Sequence, residues 1–473
     1  MSARAGPRGV LALLVVFMII NFADKAVLGL TADAIMAELH LSATQFGTIA
    51  GSFYLLFSVS ALLIGFVGDR VRAKPLLAGL VLIWSVAQLP ILIPTAGFGF
   101  LLVTRILLGA GEGPAFPLAN HTAFTHFPSH RRSLPAAMVT IGGALGAVVG
   151  GPLTILISEV FGWRAAFGAL GAIGLVWLVA WLRYGGSGPY AAGGSTSAGA
   201  AAPSVPMRSE PEKVDGRTGD VSDQERSRPT ADTAVQHEDG HEPMPDHVPF
   251  LRIVATRTWL GATFATATVL WSLALALAWI PIYLEDEVGL NKAGLSVAIG
   301  LPSLCAILLV LSGGGLAQRL IGRGVSYRVA QGCVGGTAVT IGGVFMLAMT
   351  RVEAVPLVLL CFAVAFAIGN TQTPLSNAAM SHICPERKRS AVLGASYAAA
   401  TVSSVLAPYI TGRIIDAAPS QMAGFSLSFD LAGLLLLVGG LAAFLLIRPD
   451  SDAAALRRSV GAPERPAGPA HRT

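Results

Sequence analysis

The chain has 473 residues, of which 53% are hydrophobic and 12% charged, and its mean hydropathy is +0.66. Soluble domains carry about 25% charged residues, so this composition excludes a water-soluble globular chain and points to repeated membrane crossings. The net charge of +5 does not mark a nucleic-acid binder, because Lys and Arg sit in short loops between apolar runs, the pattern that orients loops in a membrane.

The N-terminus, Met1-Ser-Ala-Arg4-Ala-Gly-Pro-Arg8, leads into an apolar run that continues through Asn21 and Asp24 to Leu30. It has no clear small-residue cleavage site and many similar runs follow, so it reads as a first membrane helix rather than a signal peptide. Further runs of spanning length lie at about 44–66, 75–94, 98–121, 134–158 and 165–184. A second set lies at about 258–281, 293–314, 326–349, 355–379, 391–413 and 424–447. The predicted fold class is an all-α membrane protein with twelve transmembrane helices in two six-helix bundles. Residues 1–184 form the N-terminal bundle and 256–448 the C-terminal bundle.

Between them, 185–255 is rich in Gly, Ala, Ser, Pro and mixed charge, and reads as a disordered cytoplasmic linker, as does the tail 449–473. His237, His241 and His247 stand among Glu, Asp and Pro and read as solvated rather than metal-binding. Cys305, Cys333, Cys361 and Cys384 lack metal-ligand spacing and read as small buried hydrophobes without disulfides. No metal and no cofactor is expected.

Basic residues set the orientation. Arg70, Arg72 and Lys74, then Arg131 and Arg132, then Arg319, Arg323 and Arg328, then Arg387, Lys388 and Arg389 fall in loops on one side. The opposite loops carry Asp33, Glu38, Glu159, Glu285, Asp286 and Glu287. The expectation is a plasma (inner) membrane protein with both termini cytoplasmic.

The stretch that organises the chain is Arg105-Ile-Leu-Leu-Gly109-Ala-Gly111-Glu112-Gly113-Pro114-Ala-Phe-Pro117-Leu-Ala-Asn120. Arg105 and Glu112 are about two helical turns apart, so both point the same way. Ionisable groups in hydrocarbon cost roughly 2.5–3.5 kcal/mol each on insertion scales, and therefore face a polar cavity or one another. The first helix adds Asn21-Phe-Ala-Asp24-Lys25, with Asp24 at a depth similar to that of Arg105, so an Asp24–Arg105 ion pair is geometrically possible.

The chain repeats internally. Pro117-Leu-Ala-Asn120 recurs as Pro374-Leu-Ser-Asn377, and at the same spacing Pro128-x-x-x-Arg132-Ser133 recurs as Pro385-x-x-x-Arg389-Ser390. Pro152 and Pro408 agree to within one position. Parallel repeats of this kind place a substrate between the halves near mid-bilayer. At the repeat spacing Gly369 matches Glu112 and Leu273 falls near the place of Asp24, so the charge comes from the first half alone. The second half offers the neutral groups Trp271, Ser272, Trp279, Asn370, Gln372, Asn377, Tyr397 and Ser404; Tyr54 and Thr140 are candidates in the second and fifth helices.

The segment Gly65-Phe-Val-Gly-Asp69-Arg70-Val-Arg72-Ala-Lys74 resembles the Gly-x-x-x-Asp-Arg-x-Gly-Arg-Arg signature of the major facilitator superfamily. That resemblance implies a conformational latch at Gly65, Asp69 and Arg70, in which the acid engages the start of the eleventh helix. Gln318 lacks the charge in the second copy. Asn-x-x-Asp-Lys in the first helix, with Arg-x-x-x-Gly-x-Gly-Glu-Gly-x-x-x-Pro in the fourth, resembles the anion:cation symporter family within that superfamily. It implies proton-coupled uptake of a small organic carboxylate by alternating access, with Asp24 and Glu112 as the protonatable pair and Lys25 as partner of the substrate carboxylate. Lys25 stands where members typically have arginine, and an ammonium lacks the planar two-pronged match to a carboxylate. Arg105, Tyr54, Thr140, Trp271, Asn370, Gln372, Asn377 and Tyr397 complete the expected substrate set.

The expected partners are a small organic anion, a coupling proton or other cation, and the lipid bilayer; the chain is expected to be a monomer that binds no nucleic acid. The alternative is a proton-coupled drug or metabolite exporter. Exporters of this superfamily usually carry closing glycines after Gly-Pro in the fifth helix, and Gly151-Pro152 is followed here by Leu153-Thr154-Ile155-Leu156. A signalling receptor would use the linker, which has no regular motif. Enzyme readings fail for want of a nucleophile elbow, phosphate loop or metal motif.

Overall fold

A computed structural model of the chain describes residues 6–67, 73–128, 132–190 and 244–459, and every regular element among them is helical. The first half contains α1 (Pro7–Leu30), α2 (Ala32–Leu39), α3 (Ala43–Val67), α4 (Ala73–Gln88), α5 (Phe98–Glu112), α6 (Ala115–Phe124), α7 (Ser133–Phe161) and α8 (Trp163–Tyr184). The second contains α9 (Phe250–Val254), α10 (Arg257–Ile282), α11 (Lys292–Ala298), α12 (Leu301–Gly322), α13 (Val334–Met349), α14 (Val355–Ile368), α15 (Gln372–His382), α16 (Arg389–Ala417), α17 (Gln421–Leu446) and α18 (Pro449–Ser459).

Among the described residues, 11 helical segments are long and apolar enough to cross a membrane, and each falls on a run expected from the sequence. The remaining run, about 98–121, is helical in two pieces, because α5 gives way to α6 at Gly113-Pro114. Pro114 has no N–H to donate and its ring crowds the carbonyl one turn back. The second half has an interruption at the same place in the repeat: α14 passes into α15 through a tight turn at Gly369–Thr371, where Gly369 matches Glu112.

Three hydrophobic cores show how the halves meet. Where α1 begins, each bundle has its own core: Leu14, Phe17, Trp84, Leu118 and Trp181 in the first half, and Val248, Ile253, Met380, Ile383 and Ile447 in the second. Where α1 ends, a single core takes Val27, Phe46 and Phe167 from the first half and Trp279, Tyr283, Phe425 and Phe429 from the second. The core is therefore shared at the far end of α1 and separate at the near end, where α3 and α16 still approach each other at Leu62 and Gly394.

The seal is made of main chain. α3 runs antiparallel against α16, and α1 packs on α10. A Cβ on Gly29 would stand 1.9 Å from the carbonyl oxygen of Leu277, and one on Gly47 would stand 2.2 Å from that of Pro408. Gly51 against Val405 and Gly412 against Ala43 are equally close. Only hydrogen fits at such positions, which is how small residues let helices approach closely in a membrane.

The expected linker and tail differ at their edges. Val248 and Ile253 are buried in the second bundle's core, α9 covers Phe250–Val254, and Lys388 donates to the Val248 carbonyl at 2.6 Å. Gly188 donates its N–H to the Thr125 hydroxyl at 2.9 Å. Pro449–Ser459 is helical rather than unstructured: Ala453 and Leu456 bury one face, and Asp452 accepts the N–H of Thr258 at 2.8 Å. The polar composition of these edges hid a few apolar anchors at helical spacing. Residues 191–243 and 460–473, with His237 and His241, lie outside the described residues. Asp69 and Arg70 do as well, while Gly65 is near the end of α3. The four cysteines are unpaired, with Cys361 and Cys384 buried.

Candidate functional site

Four charged side chains from α1 and α5 converge midway along the first bundle. Asp24, Arg105 and Glu112 are 0%, 2% and 1% exposed, and the Lys25 side chain retains 13%. Lys25 and Glu112 form an ion pair at 3.5 Å, and Lys25 also donates to Asn21 Oδ1 one turn back on α1. Its ammonium lies 4.6 Å from the centre of the Phe22 ring and 5.5 Å from that of Phe57, contacts that favour a cation away from water.

The Asp24–Arg105 ion pair that the matching depths allow is not formed. Arg105 Nη1 donates to the main-chain carbonyl of Asp24 at 3.3 Å, and the carboxylate instead accepts from Gln88 Nε2 at 3.0 Å. Matching depths on two helices do not fix which way a long side chain turns. The Arg105 guanidinium lies 5.2 Å from the centre of the Phe167 ring on α8, while its Nε and Nη2 are buried with no hydrogen-bond partner.

Two of these groups, Lys25 and Arg105, border a small cavity that is partly open to solvent. Lys25, Tyr54 and Arg105 supply its polar lining; Leu28, Ala50 and Phe53, with Ala274, Leu277 and Ala278 from α10, supply the rest. The charge on this lining comes from the first half, and the second contributes apolar residues where neutral polar and aromatic groups were expected. The two cations and two carboxylates sum to zero formal charge.

The neutral candidates of the second half are not brought to the cavity lining. Gln372 is fully buried and gives its amide to Ser376 at 2.7 Å, Asn370 donates to the Phe366 carbonyl at 2.8 Å, and Asn377 is exposed. Asn370 and Gln372 sit beside a helix interruption, one turn from a carbonyl or a hydroxyl that has taken their N–H groups. Thr140 is exposed and turns its hydroxyl back to the Ala136 carbonyl at 3.0 Å. Trp271 is buried one turn before Ala274, with its indole N–H unpartnered. Tyr397 is 37% exposed.

Gln88 was missed by sequence reasoning. It closes the apolar run of α4 just before Pro90, and an amide inside such a run is itself the signal that a buried partner awaits it.

Known proteins resemble the chain over most of its length. The model for the Major Facilitator Superfamily matches residues 14–372. The chain is 27% identical over 438 residues to the hexuronate transporter of Bacillus subtilis (strain 168), covering 91% of this chain and 92% of that one. It is 27% identical over 447 residues to the probable sulfoacetate transporter SauU of Cupriavidus necator, covering 93% of each. The crystal structure of a bacterial homolog to the human lysosomal transporter Spinster, inward-facing and unoccupied, superposes with a TM-score of 0.70 at 16% identity, over 94% of this chain and 98% of that one.

Proposed function

We propose, from the premise that the chain belongs to the Major Facilitator Superfamily and is a multi-pass membrane transporter of a small molecule rather than an enzyme, that it takes up a small organic carboxylate together with a proton. The observation that carries this reading is the Arg105 guanidinium, buried on the cavity wall with two donor nitrogens unpartnered. A buried charged donor without an acceptor costs several kcal/mol, so the site is built for an incoming anion. Lys25, on the same wall, supplies a second cation. The relatives named for hexuronate and sulfoacetate support the choice of anion, both compounds being carboxylates.

Charge balance supplies the coupling. The empty site is neutral; a carboxylate alone leaves one negative charge in excess, and a proton alone leaves one positive. Glu112 takes the proton in this scheme, because its carboxylate faces Lys25 at 3.5 Å and protonation releases that ammonium to the substrate. Substrate and proton together restore neutrality, and the neutral site can then be carried through the change of access that an unpaired buried charge opposes. With both termini in the cytoplasm of a cell whose plasma (inner) membrane holds the protein as a monomer, the described state opens inward.

The test is uptake into proteoliposomes of a panel of carboxylates, with and without an imposed pH gradient. Accumulation that appears with the acid-outside gradient and is lost in Arg105→Ala is the expected result. Gradient-independent equilibration would remove proton coupling, and absence of uptake for every carboxylate would remove the anion.

A further inference from the structure

The uncharged part of the lining restricts the rest of the substrate. Ala274, Leu277 and Ala278 of α10 line the same cavity as Lys25 and Arg105, and of the lining residues Tyr54 is the one that is both polar and uncharged. Neither Gln372 nor Asn370, the amides that could have served substrate hydroxyls, lines the cavity, and their N–H groups go to Ser376 and to the Phe366 carbonyl. A sugar hydroxyl both donates and accepts, and each one left unpaired here lowers affinity by roughly tenfold. We propose that the substrate is a carboxylate with an apolar body, an aliphatic or aromatic monoanion with few or no hydroxyls. Its head sits at Arg105 and Lys25 and its body lies against α10. This assignment rests on the carboxylate reading above.

The experiment is competitive binding to the full chain in nanodiscs, with phenylacetate, hexanoate, glucuronate and galactonate as probes. Phenylacetate or hexanoate should bind at least tenfold more tightly than either polyhydroxy acid. Glucuronate binding as tightly as phenylacetate overturns the apolar body and leaves carboxylate transport standing. Failure of all four to bind overturns both.

A separate observation lies at the sealed end. Asp416, in the last turn of α16, reaches across to the other bundle, where its Oδ1 accepts the N–H of Ala43 at 3.0 Å and its Oδ2 that of Thr44 at 2.8 Å. These are the first residues of α3, whose free N–H groups and positive dipole end suit a carboxylate. Because cap and helix belong to different bundles, the contact exists only while this end is closed. We infer that Asp416 is an interbundle latch that favours the sealed state described here.

Spin labels at Phe161→Cys and Met422→Cys, exposed positions at that end on opposite bundles, report the separation once the four native cysteines are replaced by alanine. Asp416→Asn and Asp416→Ala should raise the ratio of separated to closed molecules by roughly twofold to thirtyfold, the range typical of lost helix caps. Asp416→Glu should restore part of the closed population. Distance distributions that match the parent in both Asp416→Asn and Asp416→Ala overturn the latch.

Discussion

Arg105 donates to the main-chain carbonyl of Asp24 and leaves that residue's carboxylate to Gln88. The guanidinium is therefore anchored by one nitrogen, while two others are buried without a hydrogen-bond partner in a residue that lines the pocket. Arg105→Lys keeps the charge and removes the planar pair of donors. Affinity for the transported anion should fall by about tenfold or more, read as a rise in the KM of uptake, since charged hydrogen bonds contribute about 1.5–3 kcal/mol.

Glu112 pairs with Lys25 at 3.5 Å. Glu112→Gln fixes it in the neutral form, so the ammonium is always released and binding no longer requires a proton. Counterflow exchange of labelled substrate should persist at a rate within a few-fold of the parent, while accumulation driven by a pH gradient should disappear. Retained gradient-driven accumulation would assign the proton to another group.

Gln88 fills the position for which the sequence suggested Arg105. Replacing it with Leu strips the buried Asp24 carboxylate of its hydrogen bond. The cost should be about 1–3 kcal/mol in thermal unfolding of the purified protein. In Asp24→Asn the same substitution should cost clearly less, and the non-additivity measures the contact.

Asp33 lies outside the spanning helices, and its pKa is pushed up to about 6, first by burial and then by Asp286 and Glu285, against the pull of Lys292. A carboxyl that holds its proton more tightly folded than unfolded penalises the folded state once ionised. Its effect is absent below the unfolded value near 4, grows as pH rises toward 6, and is constant above that. Asp33→Asn should therefore melt at the same temperature as the parent at pH 4 and at a higher temperature at pH 7.

The spanning helices were legible because an apolar run long enough to cross a bilayer has few other uses, and the internal repeat was legible from Pro117-Leu-Ala-Asn120 and its echo. The convergence of Lys25, Arg105 and Glu112 was legible for the same reason: charge placed within such runs has to meet other charge. Their pairing was not, because it depends on rotamers, and a seven-residue spacing cannot say whether Lys25 or Arg105 turns toward Glu112. Nor could composition reveal that Ile253 and Leu456 anchor stretches that otherwise read as linker and tail, since one apolar side chain in a polar segment carries little signal.

The backbone contacts of Gly29, Gly47, Gly51 and Gly412 also bear on how this molecule switches. Side chains accommodate misfit by small rotations, but peptide groups in two rigid helices have no such slack. A junction of this kind either mates or parts, with little stable ground between. Conversion between the two orientations should accordingly resemble the throw of a toggle, and partly ajar forms that would let water and ions slip through should be short-lived.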